Sequence, residues 1–413
     1  MSRITVKGPV IIAMNHPNAF TDPIVLSYLT FPLRLKYLAR GDVFKPGFVS
    51  TMLEIIGIVP IFRIQDAGKE GLKKNDESYQ RVNSLLKKNC KVIVFAEGLC
   101  VQERRLRPLK KGVARMVFGA YESIHNENLM VLPIGIHYDK PHQFRSHVYY
   151  NVGEPILAKD YIEDYRNNAV KTNKKFLEDL RVTMKSLIAH IDDKSNDEVV
   201  YMIEELCKTD WMEQENLNLK DLNDDFKMTK KITNLVNQTA TRNQPGLDDF
   251  KEKAKSYFNK LKKKHLQDWL INPKQSQKVK VYLLVARIFL LTICAPIYLV
   301  GLIGNFLALL LTHFLTRKII KSNEFYSSIA LGLGMIIFLL NYVLIYFISH
   351  SFTSNAVVSC FHCFLFIIAG FLSLHYHSAL IKTRGLMKII FNTTLANELK
   401  KEREILITLI NNF

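Results

Sequence analysis

The chain has 413 residues, with 56 Lys and Arg against 38 Asp and Glu, and its net charge is +18. This excess of positive charge suits an anionic partner, which could be a phospholipid surface, a phosphate-bearing substrate or a nucleic acid. No zinc-finger spacing or RNA-binding signature accompanies the charge, and long apolar runs fill the C-terminal part. We therefore expect anionic membrane lipids as partners and no nucleic acid.

The first 157 residues alternate short apolar runs with helical stretches. The apolar runs predict strands, and the segments between them predict helices. The predicted strands are Pro9–Met14, Leu35–Arg40, Gly57–Phe62, Val92–Phe95, Met130–Ile136 and Val148–Val152, and the predicted helices are 20–31, 46–56, 69–89 and 111–125. This alternation predicts an α/β domain, in which helices cover a mostly parallel or mixed sheet.

The segment Met14–Pro23 follows the first predicted strand and contains His16 and Asp22, six residues apart. This spacing puts the two side chains on different faces of a helix, and about 20 Å apart on a straight strand. They can meet only if the segment turns, and its two prolines and its asparagines favour a turn. A His held by a carboxylate is a general base near neutral pH. The alternative is a plain strand-to-helix turn in which the Asp caps the helix.

Polar residues also follow two later strands, where open α/β sheets place their ligands. Arg63 comes directly after Gly57–Phe62, and an Arg can grip phosphate through two donors at once. A solvated surface Arg is the alternative. Glu97 and Gly98 follow Val92–Phe95, and the glycine allows a close backbone approach.

A basic run then leads into the helix predicted at 111–125. Its cationic residues include Arg104, Arg105, Lys110 and Lys111. A helix N-terminus with a Lys beside it is a reasonable anion site. The alternative is a basic face that touches anionic lipid.

Four short motifs in this part resemble, in order, those of the glycerolipid acyltransferase family, which includes lysophosphatidic acid and glycerol-3-phosphate acyltransferases. They are Asn15-His16-Pro17-Asn18 with Asp22-Pro23, Gly57-Ile58-Val59-Pro60-Ile61-Phe62-Arg63, Phe95-Ala96-Glu97-Gly98 and Val131-Leu132-Pro133-Ile134. The first resembles a variant branch, because the usual core is Asn-His-x4-Asp and the spacer here is one residue longer. The third departs from the family, since Leu99 and Cys100 stand where Thr and Arg are usual.

The resemblance implies acyl transfer that needs no metal and no bound cofactor. In this chemistry His16 removes a proton from a glycerol hydroxyl, Asp22 orients the imidazole, and the hydroxyl attacks the thioester of acyl-CoA or acyl carrier protein. The implied substrate-binding residues are Arg63, Glu97, Gly98, Lys110 and Lys111. The implied acceptor is 1-acylglycerol 3-phosphate (lysophosphatidate), with glycerol 3-phosphate as the alternative, in phospholipid biosynthesis.

Two other classes of function stay open. A non-catalytic lipid-binding membrane protein on the same fold is supported by Cys100, which stands where the family usually has Arg, and by the longer spacer of the first motif. A hydrolase that uses His16 is disfavoured, because the sequence contains no Gly-x-Ser-x-Gly elbow.

The remaining sequence predicts a polar region and a membrane domain. Residues 158–280 are charged and show helical periodicity, which predicts a largely soluble helical region. Residues 281–377 predict membrane segments, of which 327–349 and 355–377 carry no charged side chain and can each span about 30 Å of hydrocarbon. Residues 378–413 predict a cytoplasmic tail helix.

The apolar run 281–315 is too long for one straight span, at about 50 Å as a helix. Pro296 and two glycines interrupt it, and Lys or Arg flanks both of its ends. Because both ends then prefer the cytoplasm, we expect a hairpin or a re-entrant segment. The same charges predict an integral membrane protein whose catalytic domain faces the cytoplasm. Since His16 lies so near Met1, we expect no membrane helix ahead of the first motif.

Overall fold

The structure is a computed structural model that describes residues 7–19, 21–33, 35–41, 51, 57–61, 64–140, 146–272, 277–320 and 323–413. The chain forms two compact units. The first consists of Met1–Asp192 with Asn323–Ser328, and the second of Asp193–Ser322 with Ile329–Phe413.

The first unit is built on one sheet and the helices that cover it. Its strands are β1 (Val10–Met14), β2 (Leu35–Arg40), β3 (Ile58–Ile61), β4 (Lys91–Phe95), β5 (Met130–Tyr138), β6 (Val148–Val152) and β7 (Ile156–Leu157). Its helices are α1 (Thr21–Thr30), α2 (Ile64–Lys87), α3 (Lys111–Ile124), α4 (Ile162–Asn167) and α5 (Ala169–Ser186).

The sheet is mixed, with the strand order β3-β2-β4-β1-β5-β6, and β7 also pairs with β5. Its first five strands in this order run parallel, whereas β6 and β7 pair antiparallel with β5. The predicted mixed sheet covered by helices is therefore confirmed.

Strand β1 lies at the centre of the sheet, between β4 and β5, and all five of its side chains are buried. Both of its faces are covered, which is why its sequence is an unbroken apolar run. Ile11 and Ala13 belong to one core and Ile12 and Met14 to the other, because successive side chains of a strand point to opposite faces. Met14 is in register with the last residue of β4, so the loops that follow β1 and β4 begin side by side.

One core lies between the sheet and four of its helices. Helices α2 and α3 contribute side chains such as Leu86 and Phe118, and α5 adds Phe176, Leu180 and Met184. These three positions are four residues apart and form one stripe of α5. The first unit therefore includes helices that the sequence analysis grouped with the polar region after residue 157. An apolar stripe predicts that one face of a helix is buried, but it does not show which part of the protein that face packs against.

The strand and helix positions predicted for this unit are confirmed within the described residues, with small shifts at their ends. Helix α2 begins at Ile64 rather than residue 69, and β5 continues to Tyr138 rather than Ile136. Strand β7 was not predicted, because two residues are too short to form a recognisable apolar run. The helix predicted at 46–56 lies outside the described residues, apart from Thr51.

The second unit is helical. It contains α6 (Asp197–Gln214), α7 (Leu222–Arg242), α8 (Gln244–Lys263), α9 (Gln277–Ile319), residues 329–353 of α10 (Asn323–Thr353), α11 (Ala356–Phe391) and α12 (Thr393–Asn411). Among the described residues, three helices are long and apolar enough to cross a membrane: Val279–Ile319, Phe325–Thr353 and Ala356–Phe391.

The hairpin predicted within 281–315 is wrong, because α9 is one continuous helix of 43 residues. Pro296 lies inside this helix. Membrane helices tolerate an internal proline when neighbouring groups form hydrogen bonds with the backbone groups that it leaves unpaired. Gly301 and Gly304 do not turn the chain. A Cβ at either would collide with Ala369 or Phe366 of α11, so these glycines let two helices pack closely.

A buried ion pair fixes helix α12 within the second unit. Arg403 Nε donates to Asp268 at 3.1 Å, and its guanidinium also donates to the carbonyl oxygen of Leu206 on α6 at 2.7 Å. The hydroxyl of Tyr257 on α8 donates to the same carboxylate at 2.6 Å. Burial raises the pKa of Asp268, whereas the charge of Arg403 and the hydrogen bonds of both partners lower it.

Arg403→Met should destabilise the second unit strongly, because it leaves the Asp268 carboxylate buried without its cation. The expected loss is about 3–5 kcal/mol, which thermal unfolding of the purified chain in detergent would detect. Lys260→Met is the matched control, since Lys260 pairs with Glu398 and Glu402 of the same helix at an exposed position. That variant should unfold close to the wild-type temperature. Equal shifts in the two variants would contradict this account.

Candidate active site

The loop after β1 brings together the two residues that the first motif separates. His16 stands directly beyond the carboxyl end of β1, and Asp22 is the second residue of α1. The chain turns between them, and the backbone N–H of Asp22 donates to the carbonyl oxygen of Asn18 at 3.1 Å. His16 Nδ1 then lies 2.9 Å from Asp22 Oδ2. The longer spacer therefore permits the His–Asp contact.

The carboxylate of Asp22 is fully buried and accepts hydrogen bonds on both of its oxygens. Oδ2 faces His16 and also accepts from the backbone N–H of Asn18 at 2.9 Å. Oδ1 accepts from the Tyr138 hydroxyl at 2.7 Å. Burial raises the pKa of Asp22 above its ordinary range, and these hydrogen bonds act in the opposite direction by stabilising the charged form.

Three tyrosines surround this segment, and the sequence did not single out any of them. Besides Tyr138, the hydroxyl of Tyr150 on β6 donates to the backbone oxygen of Asp22, and that of Tyr37 on β2 donates to the backbone oxygen of Pro23, both at 2.9 Å. The alternation along β5 is the one signal that could have revealed Tyr138, because it lies on the same face as Ile134 and Ile136.

The imidazole of His16 is held on one side by Phe95, the last residue of β4. Their ring centroids are 3.7 Å apart and the rings are nearly parallel, at 18°. The His16 side chain keeps 15% of its surface exposed. Because Nδ1 faces Asp22, Nε2 is the atom that can exchange a proton with a bound molecule.

Glu97, which the third motif predicts as a substrate-binding residue, lies buried beside this loop. Its carboxylate accepts from the backbone N–H of Arg107 at 3.1 Å and from the backbone N–H of His16. Burial raises the pKa of Glu97 to about 7, although both N–H groups lower it. The described contacts of this carboxylate therefore join the loop after β1 to the basic run.

Gly98 and Lys110 lie together where the third motif turns. Gly98 has a φ of +64°, which favours glycine, and a Cβ there would stand 3.0 Å from Lys110 Cγ. The backbone N–H of Lys110 donates to the carbonyl oxygen of Ala96 at 2.9 Å. Lys110 is the N-cap residue of α3 and Lys111 is the first residue of the helix. Both side chains are exposed. The two lysines thus stand at a helix N-terminus, as the sequence predicted.

The structure leaves fewer candidates for a phosphate site than the sequence did. Arg63 lies outside the described residues. Arg104 is buried, and its guanidinium donates to the carbonyl oxygen of Asp139 at 2.9 Å. Arg105 pairs with Glu103 at 3.5 Å. Lys110 and Lys111 are the exposed cations among those predicted, within the part of the chain that the structure describes.

A further contact involves residues 323–328, which belong to the first unit. The hydroxyls of Ser327 and Ser328 donate to Asn18 Oδ1 at 3.1 and 3.0 Å. The serines stand more than 300 residues beyond the first motif, so no local pattern could predict this contact. Among the described residues, no group of three or more His, Cys, Asp or Glu side chains could hold a metal ion.

Residues 1–137 match the family model described as Acyltransferase. Glycerol-3-phosphate O-acyltransferase 1 of Saccharomyces cerevisiae is 27% identical over 201 residues, which cover 48% of this chain and 26% of that protein. Glycerol-3-phosphate O-acyltransferase 2 of the same yeast is 33% identical over 121 residues, which cover 29% of this chain and 16% of that protein. An uncharacterized acyltransferase of Schizosaccharomyces pombe is 33% identical over 89 residues, which cover 21% of this chain and 13% of that protein.

The aligned segments span about a quarter or less of the length of these relatives. The similarity therefore covers only a part of each relative. The matched range 1–137 contains all four motifs and the contact between His16 and Asp22. Residues 1–137 therefore match the acyltransferase family that the four motifs resemble.

Proposed function

We propose that this chain is a membrane-bound O-acyltransferase that moves a fatty acyl group from a thioester donor to a hydroxyl of a glycerophosphate. The observation that carries the proposal is the contact between His16 Nδ1 and the buried carboxylate of Asp22. The match of residues 1–137 to the acyltransferase family supports it. The three apolar helices support a membrane location.

The pair provides general base catalysis. Nε2 of His16 takes the proton of the acceptor hydroxyl as its oxygen attacks the thioester carbonyl carbon, and Asp22 stabilises the imidazolium that forms. The tetrahedral intermediate then collapses. The carbon–sulfur bond breaks, the ester forms, and the leaving thiolate takes the proton back from His16. No protein nucleophile, metal or bound cofactor is required in this sequence of steps.

Two acceptors fit the proposed reaction. The motifs predict 1-acylglycerol 3-phosphate, whereas the names of the two yeast relatives favour glycerol 3-phosphate. Both carry a phosphate and a free hydroxyl. We propose that the phosphate binds at the N-terminus of α3, where Lys110 and Lys111 add positive charge to the helix end. Arg63 stays a predicted phosphate ligand, and Glu97 and Gly98 stay predicted acceptor-site residues.

The donor and the membrane side are part of the same proposal. Acyl-CoA and acyl carrier protein both supply the thioester, and anionic lipids suit the basic surface. Arg317 and Lys318 lie in the last turn of α9, and Lys382 and Lys388 lie near the end of α11. Residues 350–355, which run from the last turn of α10 to the start of α11, contain no Lys or Arg. This asymmetry favours a cytoplasmic location of these basic ends and of residues 323–328, which follow α9 and belong to the first unit.

The function is tested by acyl transfer with the purified full chain in liposomes. Labelled acyl-CoA or acyl carrier protein is offered with either glycerol 3-phosphate or lysophosphatidate. We expect transfer to one of the acceptors, and a loss of about 10²–10⁴-fold in His16→Ala, because the general base is gone. His147→Ala is the matched control, since His147 is exposed and lies outside the proposed mechanism. Absence of transfer with every pair would favour a non-catalytic lipid-binding protein instead.

The proposed phosphate site is tested by replacing Lys110 and Lys111 together with Met. With glycerol 3-phosphate as the soluble acceptor, we expect the KM for the acceptor to rise about tenfold, as the loss of a charge-assisted contact implies. The KM for the donor and kcat should stay near wild type. A variant with Lys87→Met and Lys88→Met controls for net charge, because both of these lysines are exposed at the end of α2. An unchanged acceptor KM, or an equal rise for the donor, would contradict the proposed site.

A further inference from the structure

The two oxygens of the Asp22 carboxylate have different partners. Oδ2 faces His16 Nδ1 and the backbone N–H of Asn18, and Oδ1 accepts from the Tyr138 hydroxyl at 2.7 Å. We propose that Tyr138 is a positioning residue of this site, whose hydroxyl keeps the Asp22 carboxylate ionised and turned toward His16. The inference rests on the proposed function for its catalytic consequence, whereas the contact itself does not.

Two hydrogen bonds fix the plane of the Asp22 carboxylate. A carboxylate can rotate about its Cβ–Cγ bond, so one contact to His16 does not fix its plane. Hydrogen bonds from Asn18 to Oδ2 and from Tyr138 to Oδ1 hold the group from opposite oxygens. Both donors lie on elements anchored by the sheet, the loop after β1 and the last residue of β5. The contact between His16 and Asp22 keeps its productive geometry because these two hydrogen bonds hold the carboxylate in place.

The hydrogen bond from Tyr138 also stabilises the negative charge of the pair. In the form able to act as a base, the imidazole is neutral and the carboxylate is ionised, so the buried pair carries one negative charge. Burial favours protonation of Asp22 and opposes this form. A phenol that donates to the carboxylate stabilises the negative form more than the protonated one. Burial and the charge of Asp22 raise the pKa of Tyr138 far above its ordinary value, so the phenol keeps its hydrogen and donates it.

The other titratable groups around the pair make different contacts. They are Tyr150 on β6, Tyr37 on β2, Glu97 after β4 and Cys100 in the loop that follows. Tyr150 donates to the backbone oxygen of Asp22, Tyr37 donates to that of Pro23, and Glu97 accepts from the backbone of His16. Cys100 contributes to the raised pKa of Tyr138. Within the described part of the chain, Tyr138 is the residue that donates a hydrogen bond to Oδ1.

This arrangement provides a matched pair of variants. Tyr138→Phe and Tyr150→Phe each remove one phenolic oxygen beside Asp22, but only the first removes a donor to its carboxylate. We expect the acid limb of the profile of kcat/KM against pH to move up by about one pH unit in Tyr138→Phe, because the negative form of the pair loses a hydrogen bond. At neutral pH kcat should fall about tenfold while the donor KM stays near wild type. Tyr150→Phe should keep the wild-type limb.

A second readout does not depend on activity. The full chain is labelled with ¹⁵N-histidine, the His16 signal is assigned by its loss in His16→Gln, and its titration midpoint is followed by NMR. The midpoint should rise by about one pH unit in Tyr138→Phe and stay unchanged in Tyr150→Phe. The other His signals show that each variant is folded.

The outcomes separate the two proposals. A shifted midpoint without any acyl transfer by the wild-type chain would support the role of Tyr138 and overturn the proposed function. Transfer by the wild type, with the same midpoint in Tyr138→Phe and a rate lowered equally at every pH, would overturn the role of Tyr138. Equal shifts in Tyr138→Phe and Tyr150→Phe would also overturn it, because the effect would then not depend on the Oδ1 contact.

Discussion

The carboxylate of Asp22 is buried where water cannot stabilise its charge, so the surrounding chain must supply hydrogen bonds in place of water. The loop after β1 contributes His16 and a backbone N–H, and β5 contributes Tyr138. Strand β5 lies directly beside β1. The hydrogen bonds to this one charged group therefore need three features of the fold: the strand order, the turn after β1, and the two residues by which β5 extends beyond Ile136 to Tyr138.

The groups proposed for acid–base chemistry and for phosphate binding are held in different ways. His16 and Asp22 follow the central strand and are packed against Phe95 and Tyr138. Lys110 and Lys111 are exposed at the start of a helix, after a loop that departs from the usual third motif at Cys100. A rigid base and an exposed cationic helix end suit a reaction in which the proton must move over a short distance while the phosphate is bound from solvent.

Much of the first unit could be predicted from local patterns. The unbroken apolar run of β1 indicated a buried strand, and the turn-forming residues after it allowed His16 and Asp22 to meet. Local patterns could not predict the contacts of Tyr138, Ser327 and Ser328. Each of these residues contacts a partner more than 100 positions away in the sequence, and only the folded chain brings the two together. The hairpin prediction failed for a related reason. Glycines within an apolar run also permit close helix packing, and the sequence does not distinguish this role from a turn.

The proposed mechanism requires His16 and Asp22 to act as one unit, and a double-mutant cycle measures this most directly. The rate of acyl transfer is compared among the wild type, His16→Ala, Asp22→Asn and the double variant. If Asp22 acts through His16, the double variant should be no slower than His16→Ala alone. If the two losses instead multiply, the residues contribute independently, and the central claim is wrong.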